Sequence, residues 1–327
     1  MKKLISILLA SILLITVVAF TGCTKDEPET LKLGLGVTVS VSSSDATEDK
    51  AGESKATVTA AAVLVDKDGK IVKAFIDCAD NKVTHTIEGK AVATETFKTK
   101  YEQGNDYNMV TYGGAAKEWF EQADAFCGVI VGKTADEVKA LVAENAKGTE
   151  EVINAGCTIY VSDFAVAVEK AINNAVECNA TAEDTVKLGV STAQTPTDAT
   201  EEKAGSNKLE TTLFAAAVNA EGKIVAASSD CAEITFTFDA TGKTTFDASK
   251  AVQTKKEKGE SYGMVAYGGS AKEWFQQAAA FDAACVGKTP AEVAGLMGED
   301  YKGNADVQAA GCTIYVSGFV KAATKIG

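Results

Sequence analysis

The sequence predicts an α+β protein made of two tandem homologous domains, each a twisted antiparallel sheet with helices packed on it. Three observations carry that expectation. Long stretches recur almost unchanged in the second half of the chain. Within each copy, alternating or β-branched runs flank turn residues, as in antiparallel hairpins. Further along each copy, apolar residues fall at three- and four-residue spacing, the period of a helix packed on one face.

The repeat fixes the organisation before any element is considered. Asp45-Ala46-Thr47-Glu48 recurs as Asp198-Ala199-Thr200-Glu201, and Gly69-Lys70-Ile71-Val72 as Gly222-Lys223-Ile224-Val225, both 153 residues on. After a two-residue slip the offset is 155, and 12 of the 15 residues from Tyr112 to Phe126 match Tyr267 to Phe281. Ala155 to Phe164 matches Ala310 to Phe319 at nine of ten positions. A period this long means whole domains rather than a solenoid. The expected division is a signal segment over residues 1–22, a tether over 23–30, domains over 31–178 and 187–327, and a polar linker over 179–186.

In order, Ala56 to Val65 and Lys70 to Ile76 are predicted strands around the turn Asp66-Lys67-Asp68-Gly69, with a third strand at Asn81 to Ile87. Gly113-Gly114 is expected to open a helix whose buried stripe is Ala116, Trp119, Phe120, Ala123 and Phe126. Gly132-Lys133-Thr134 should cap a helix from Ala135 to Ala143; in the second copy Pro290 falls in its first turn, where proline is tolerated. Ala155-Gly156-Cys157-Thr158 then leads through Ile159-Tyr160-Val161 into a helix starting near Ser162-Asp163.

Composition removes several classes of function. The 327 residues carry Lys+Arg 32 against Asp+Glu 45, a net charge of −13, which argues against a nucleic-acid partner. A single histidine, His85, leaves little for imidazole chemistry, and its counterpart is Phe238, so it reads as a residue on a strand face. There is no GxGxxG, P-loop, GxSxG or HExxH pattern, so no catalytic residue is assigned. The cysteines lack CxxC spacing, so no metal ligand is assigned either. An exported protein admits the disulfides Cys78–Cys157 and Cys231–Cys312, but three odd thiols, Cys127, Cys178 and Cys285, favour a reducing habitat, and buried free cysteines are the preferred reading.

The N-terminus reads as an export address. Lys2 and Lys3 precede an apolar or small run from Leu4 to Phe20, too short for an ordinary membrane span, which ends at Thr21-Gly22-Cys23. Phe20-Thr21-Gly22-Cys23 resembles the lipobox of bacterial lipoproteins. That resemblance implies cleavage before Cys23, a lipid on its thiol, and a body held at the outer face of the cell membrane.

The most informative segments are Ala155-Gly156-Cys157-Thr158 and Ala310-Gly311-Cys312-Thr313. A small turn ahead of a helix presents a hydroxyl where nothing bulky blocks approach and where free N–H groups favour phosphate. A plain strand-to-helix turn with threonine as cap accounts for the same residues. With the lipobox, GKIV, GGxAKEWFxQAxAF and GKTxxEV, the segments resemble the tandem covalent FMN-binding lipoproteins of Gram-positive bacteria, over essentially the whole mature chain. Cys157 and Cys312 stand where the family motif has alanine.

The resemblance implies two FMN groups, each joined by a flavin transferase through its phosphate to Thr158 or Thr313 beside Gly156-Cys157 and Gly311-Cys312. It also implies an extracytoplasmic electron carrier, rather than a turnover enzyme, fed by a membrane quinol-linked donor. Tyr112-Gly113-Gly114 and Tyr267-Gly268-Gly269 offer an aromatic edge and two residues without Cβ for the flavin ring; a helix-entry turn is the competing assignment. Met109 and Met264 fit a flavin border or the core equally, Trp119 and Trp274 fit the core better, and Lys133-Thr134 and Lys288-Thr289 fit a surface cap better than a phosphate site. Two other functions stay open: a cofactor-free tandem binding or surface lipoprotein, and the precursor of a pheromone cut from Ile15 to Gly22.

Overall fold

From residue 30 onward, strand β1 (Lys32–Ser44) carries Leu33, Leu35 and Val37 inward at every second position, the period that puts alternate side chains on one face. The computed structural model describes residues 30–327. The signal segment, the lipobox and Cys23 lie outside the described residues. Among those described, no helix is long and apolar enough to cross a membrane.

The first half continues with β2 (Gly52–Val65), β3 (Ile71–His85), β4 (Ala91–Val92), α1 (Lys100–Gln103), α2 (Trp119–Ile130), α3 (Ala135–Lys139), α4 (Glu150–Ala155), α5 (Ser162–Asn173) and β5 (Val176–Glu177). The second half repeats the order with β6 (Thr185–Thr197), β7 (Gly205–Val218), β8 (Ile224–Phe238), α6 (Lys255–Lys258), α7 (Trp274–Cys285), α8 (Ala305–Ala309) and α9 (Ser317–Thr324). The protein is thus α+β, with two antiparallel sheets ordered β4-β3-β2-β1-β5 and β6-β7-β8.

The central strands explain the layering. In β2, Ala60, Ala62 and Leu64 face one way and Ala61, Val63 and Val65 the other, and all six are buried. The first set belongs to a core shared with Leu188, Leu209, Leu213 and Ala215 of the second half. The second set packs under Trp119, Phe126, Phe164 and Val168 of the first half's own helices. In β7, Leu213, Ala215 and Ala217 face the shared core, while Phe214, Ala216 and Val218 meet α7 and α9. The order of layers is therefore helices, sheet, sheet, helices, with three apolar seams.

The two halves exchange contacts reciprocally, as the partners of a two-fold dimer do. Lys170 pairs with Glu257 at 2.5 Å and the equivalent Lys325 with Glu102 at 2.6 Å. Ala46 N–H donates to Gly242 O and Ala199 N–H to Gly89 O, both at 2.8 Å. Asp198 accepts the Ala91 N–H at 3.0 Å, and Asp45 accepts that of Thr244 at 2.8 Å.

Several elements differ from expectation. Lys70 to Ile76 and Asn81 to Ile87 belong to the single strand β3, which ends at His85, because Asp77 to Asp80 stays extended, paired with Thr57 to Ala60. The helix expected to open at Gly113-Gly114 begins at Trp119, where Glu118 and Glu121 form a reciprocal cap. The next helix stops at Lys139, well short of Ala143, and its second-half counterpart is the 3-10 turn Glu292–Leu296. The start of α5 at Ser162 agrees with the sequence. Strand β1 and helix α4 had no forecast.

Candidate functional site

Helix α4 ends at Gly156, whose φ of 103° is left-handed and favours glycine. The turn is tied by Gly156 N–H to Ile153 O at 2.9 Å and Cys157 N–H to Val152 O at 3.1 Å. Cys157 then drops into the core and Thr158 emerges on the surface. Gly311, with φ 104°, turns the second copy in the same way, burying Cys312 and exposing Thr313.

What holds the threonine is a side chain from another element. Gln122, on α2 and 1% exposed, accepts both the Thr158 N–H at 2.8 Å and the Thr158 Oγ1–H at 3.0 Å through one amide oxygen. Its own NH2 donates to Lys117 O at 2.9 Å, which fixes the amide. In the second half, Gln277 accepts from Thr313 N and Oγ1 at the same 2.8 and 3.0 Å. There the Gln277 NH2 donates to Lys272 O at 3.0 Å and to Ser270 Oγ at 2.9 Å. With its proton committed to glutamine, the threonine oxygen keeps its lone pairs for the outside.

A lysine lies over each glycine. The Lys117 and Lys272 ammonium groups fill the space that a Cβ on Gly156 or Gly311 would need, and Lys272 Nζ donates to Ala310 O at 3.3 Å. From ahead of each turn, Ala146 and Tyr301, both at φ 63°, direct their carbonyls to the N–H groups of Val161 and Val316 at 2.9 and 2.8 Å. In each half a lysine and a buried glutamine from another element thus meet the threonine turn, which is braced from both sides.

The Tyr-Gly-Gly segments are positioned differently. Glu118, buried, accepts from Met109 N–H at 2.9 Å and Val110 N–H at 3.1 Å, and so locks the loop that carries Tyr112-Gly113-Gly114. Glu273 does the same for Met264 and Val265. Gly114 and Gly269 turn at φ 66° and 65°, and Gly113 sits against Met109 O. Tyr112 is 85% and Tyr267 92% exposed, so both rings project into solvent.

The remaining residues take structural places. Trp119 meets Phe164 edge-on at 5.6 Å and Trp274 stacks on Phe319 at 5.7 Å. Met109 and Met264 border the cores. Thr134 caps α3 and Lys133 pairs with Glu151 at 3.1 Å. The seven described cysteines are free. Burial pushes the Cys157 and Cys312 thiols up to about 11, away from the thiolate that nucleophilic or metal chemistry needs. Among the described residues no group of three or more His, Cys, Asp or Glu is placed to hold a metal ion.

Sequence reasoning singled out the threonine turn but missed its partners. Lys117, Gln122, Lys272 and Gln277 stood in plain view within GGxAKEWFxQAxAF, among the positions unchanged between the copies. Set beside known proteins, the chain matches no family model, no curated protein and no solved structure.

Proposed function

We propose that this chain is an exported, lipid-anchored electron carrier, a tandem pair of domains with one FMN esterified to Thr158 and one to Thr313. The observation that carries the reading is the lysine, glutamine and threonine set, repeated in both halves with hydrogen-bond lengths equal to within 0.1 Å where the same bonds recur. Its donor set fits the phosphate end of the cofactor. Gln122 and Gln277 orient the hydroxyl, and Lys117 and Lys272 neutralise the phosphate charge. Tyr112 and Tyr267, with the close-approach glycines beside them, and the exposed Tyr160 and Tyr315 two residues past each threonine, are aromatic surface that could serve the ring. The flavin, when bound, supplies one- and two-electron redox chemistry, and the protein supplies attachment and exposure to partners. Flavin transferase, a membrane quinol-linked donor and the lipid on Cys23 are the partners this requires; a net charge of −13 excludes a nucleic-acid role from the proposal.

Coexpression with a flavin transferase tests it. Yellow colour that survives denaturation and two FMN-sized mass increments support the carrier, and Thr158→Ala and Thr313→Ala should each remove one increment. Colourless protein carrying no added mass under those conditions overturns it. The exposure of Tyr112 and Tyr267 favours one rival, a cofactor-free surface lipoprotein that docks another molecule through these rings.

A further inference from the structure

Two residues past each site threonine stands an exposed tyrosine, Tyr160 after Thr158 and Tyr315 after Thr313. Along this segment burial alternates. Cys157 and Val161 are buried and Ile159 packs against the helix core, while Thr158 and Tyr160 are exposed. Cys312 to Val316 repeats the pattern, with Thr313 and Tyr315 outside. Hydroxyl and ring therefore emerge on the same side of the chain, separated by no more than about 7 Å of backbone.

Each of these rings is held on one face. Tyr160 pairs with Lys147, and Tyr315 with Lys302, in isolated antiparallel bridges. The lysine backbones are themselves fixed: Lys147 N–H donates to Asn145 Oδ1 and Lys302 N–H to Asp300 Oδ1, both at 3.1 Å. Their carbonyls accept from the N–H groups of Ala143 and Gly298 at 2.8 Å. The Lys147 ammonium lies over the Tyr160 ring, 5.7 Å from its centroid, and that of Lys302 lies 5.8 Å from the centroid of Tyr315, within cation–π range. Exposures of 68% and 67% leave the other face of each ring open. The arrangement recurs although the residue before the lysine is alanine in one half and tyrosine in the other. Among the described residues, neither a cation nor a second ring lies against Tyr112 or Tyr267. A side chain that is already held gives up less freedom on binding than a free one.

We propose that Tyr160 and Tyr315, rather than Tyr112 and Tyr267, seat the flavin ring, each offering it the face that its lysine leaves open. Lys147 and Lys302 act through the tyrosines, as positioning residues. The inference rests on flavin attachment at Thr158 and Thr313 and names the residues that hold the other end of the cofactor. Stacking on a phenol ring quenches flavin fluorescence, so the contact can be read directly.

The full chain carrying Thr313→Ala, coexpressed with a flavin transferase, isolates the site at Thr158. In that background Tyr160→Leu should keep the FMN mass increment and raise the fluorescence per bound FMN roughly threefold or more, because the stacked ring is gone. Tyr112→Leu should leave the fluorescence unchanged, and Lys147→Met, which removes the cation but not the ring, should give a smaller rise than Tyr160→Leu. Unaltered fluorescence in Tyr160→Leu, or an equal rise in Tyr112→Leu, overturns the assignment and leaves the attachment standing. Absence of the FMN increment from the Thr313→Ala chain with Tyr160 in place removes the attachment itself, and the tyrosine assignment with it.

Discussion

His85 and Phe238 lie face to face, their ring centroids 4.3 Å apart and their planes inclined by 3°. They occupy the same position in the two copies, so the stack sits where the halves meet about their approximate two-fold axis. His85 is buried, its Nε2 is 3.0 Å from Gly242 O across the junction, and its Nδ1 has no partner. The Nε2 is therefore the protonated nitrogen, donating to the carbonyl.

His85→Ala should destabilise the protein by about 2–4 kcal/mol, because it empties one side of the stack and orphans the Gly242 carbonyl. His85→Phe restores the ring but not the hydrogen bond, and also removes the unpartnered Nδ1. Its cost should be under about 1.5 kcal/mol. Urea unfolding of the two variants checks the order; equal losses would mean that the ring contributes nothing.

Stability should rise as pH falls from 8 to 5. Burial pushes the Asp77 carboxyl up to about 7, and those of Asp230 and Asp282 up to about 6, against opposing hydrogen bonds. A carboxyl whose folded pKa is raised contributes stability that is complete below its unfolded pKa and is lost as pH rises through the folded value. Asp77→Asn keeps an acceptor for the Cys78 and Tyr101 N–H groups, which now bond Asp77 at 2.6 and 3.1 Å. It should therefore raise the melting temperature at pH 8 and flatten the profile between pH 4 and 7. A variant with the parental pH profile would refute the link.

Two backbone substitutions should act in opposite directions. Ala146 holds φ 63°, a left-handed conformation that costs a non-glycine residue roughly 1 kcal/mol, so Ala146→Gly should be neutral to stabilising. Gly36→Ala would drive a Cβ into the Ala167 carbonyl and the backbone of Lys170 and Ala171, where α5 lies directly on β1. It should cost about 3 kcal/mol or prevent folding. Thermal melts of both variants decide it.

Flavin loading should depend on the glutamines half by half. Gln122→Ala frees the Thr158 hydroxyl from its acceptor and should lower loading of the first half at least tenfold while leaving Thr313 loaded. Peptide mapping after coexpression with a flavin transferase reads the two sites separately. Unchanged loading at Thr158 would show that orientation by Gln122 does not matter.

The legible part of the structure follows from local chemistry. The turn at Asp66 to Gly69, the start of α5 and part of the buried stripe of α2 each rest on residues close in sequence: Asp66 Oδ1 accepts from its own turn at 2.9 and 2.8 Å, and Trp119, Ala123 and Phe126 are buried at helical period, whereas Ala116 lies exposed ahead of the helix and Phe120 is half-buried. The threonine turn was legible because glycine must supply its left-handed residue. The start of α2 was not. Its position depends on Glu118 reaching back to Met109 and Val110, a bond across a loop that no periodicity encodes. Gln122 was missed for the same reason, since it meets Thr158 36 residues away.

The amino-acid order by itself determined the duplication, the antiparallel hairpins, the helix faces and the paired threonine turns, because repeats and local periods are properties of the chain. Only the tertiary structure decided what covers each apolar face. Burial on both sides of β2 and β7 is satisfied equally well by a helix or by the other copy's sheet, since apolar surface has no directional preference. The choice fell to shape: glycines at 34, 36 and 189 let α5 and α9 settle on one face of each sheet, and the opposite faces, lined by small and branched side chains, closed on each other.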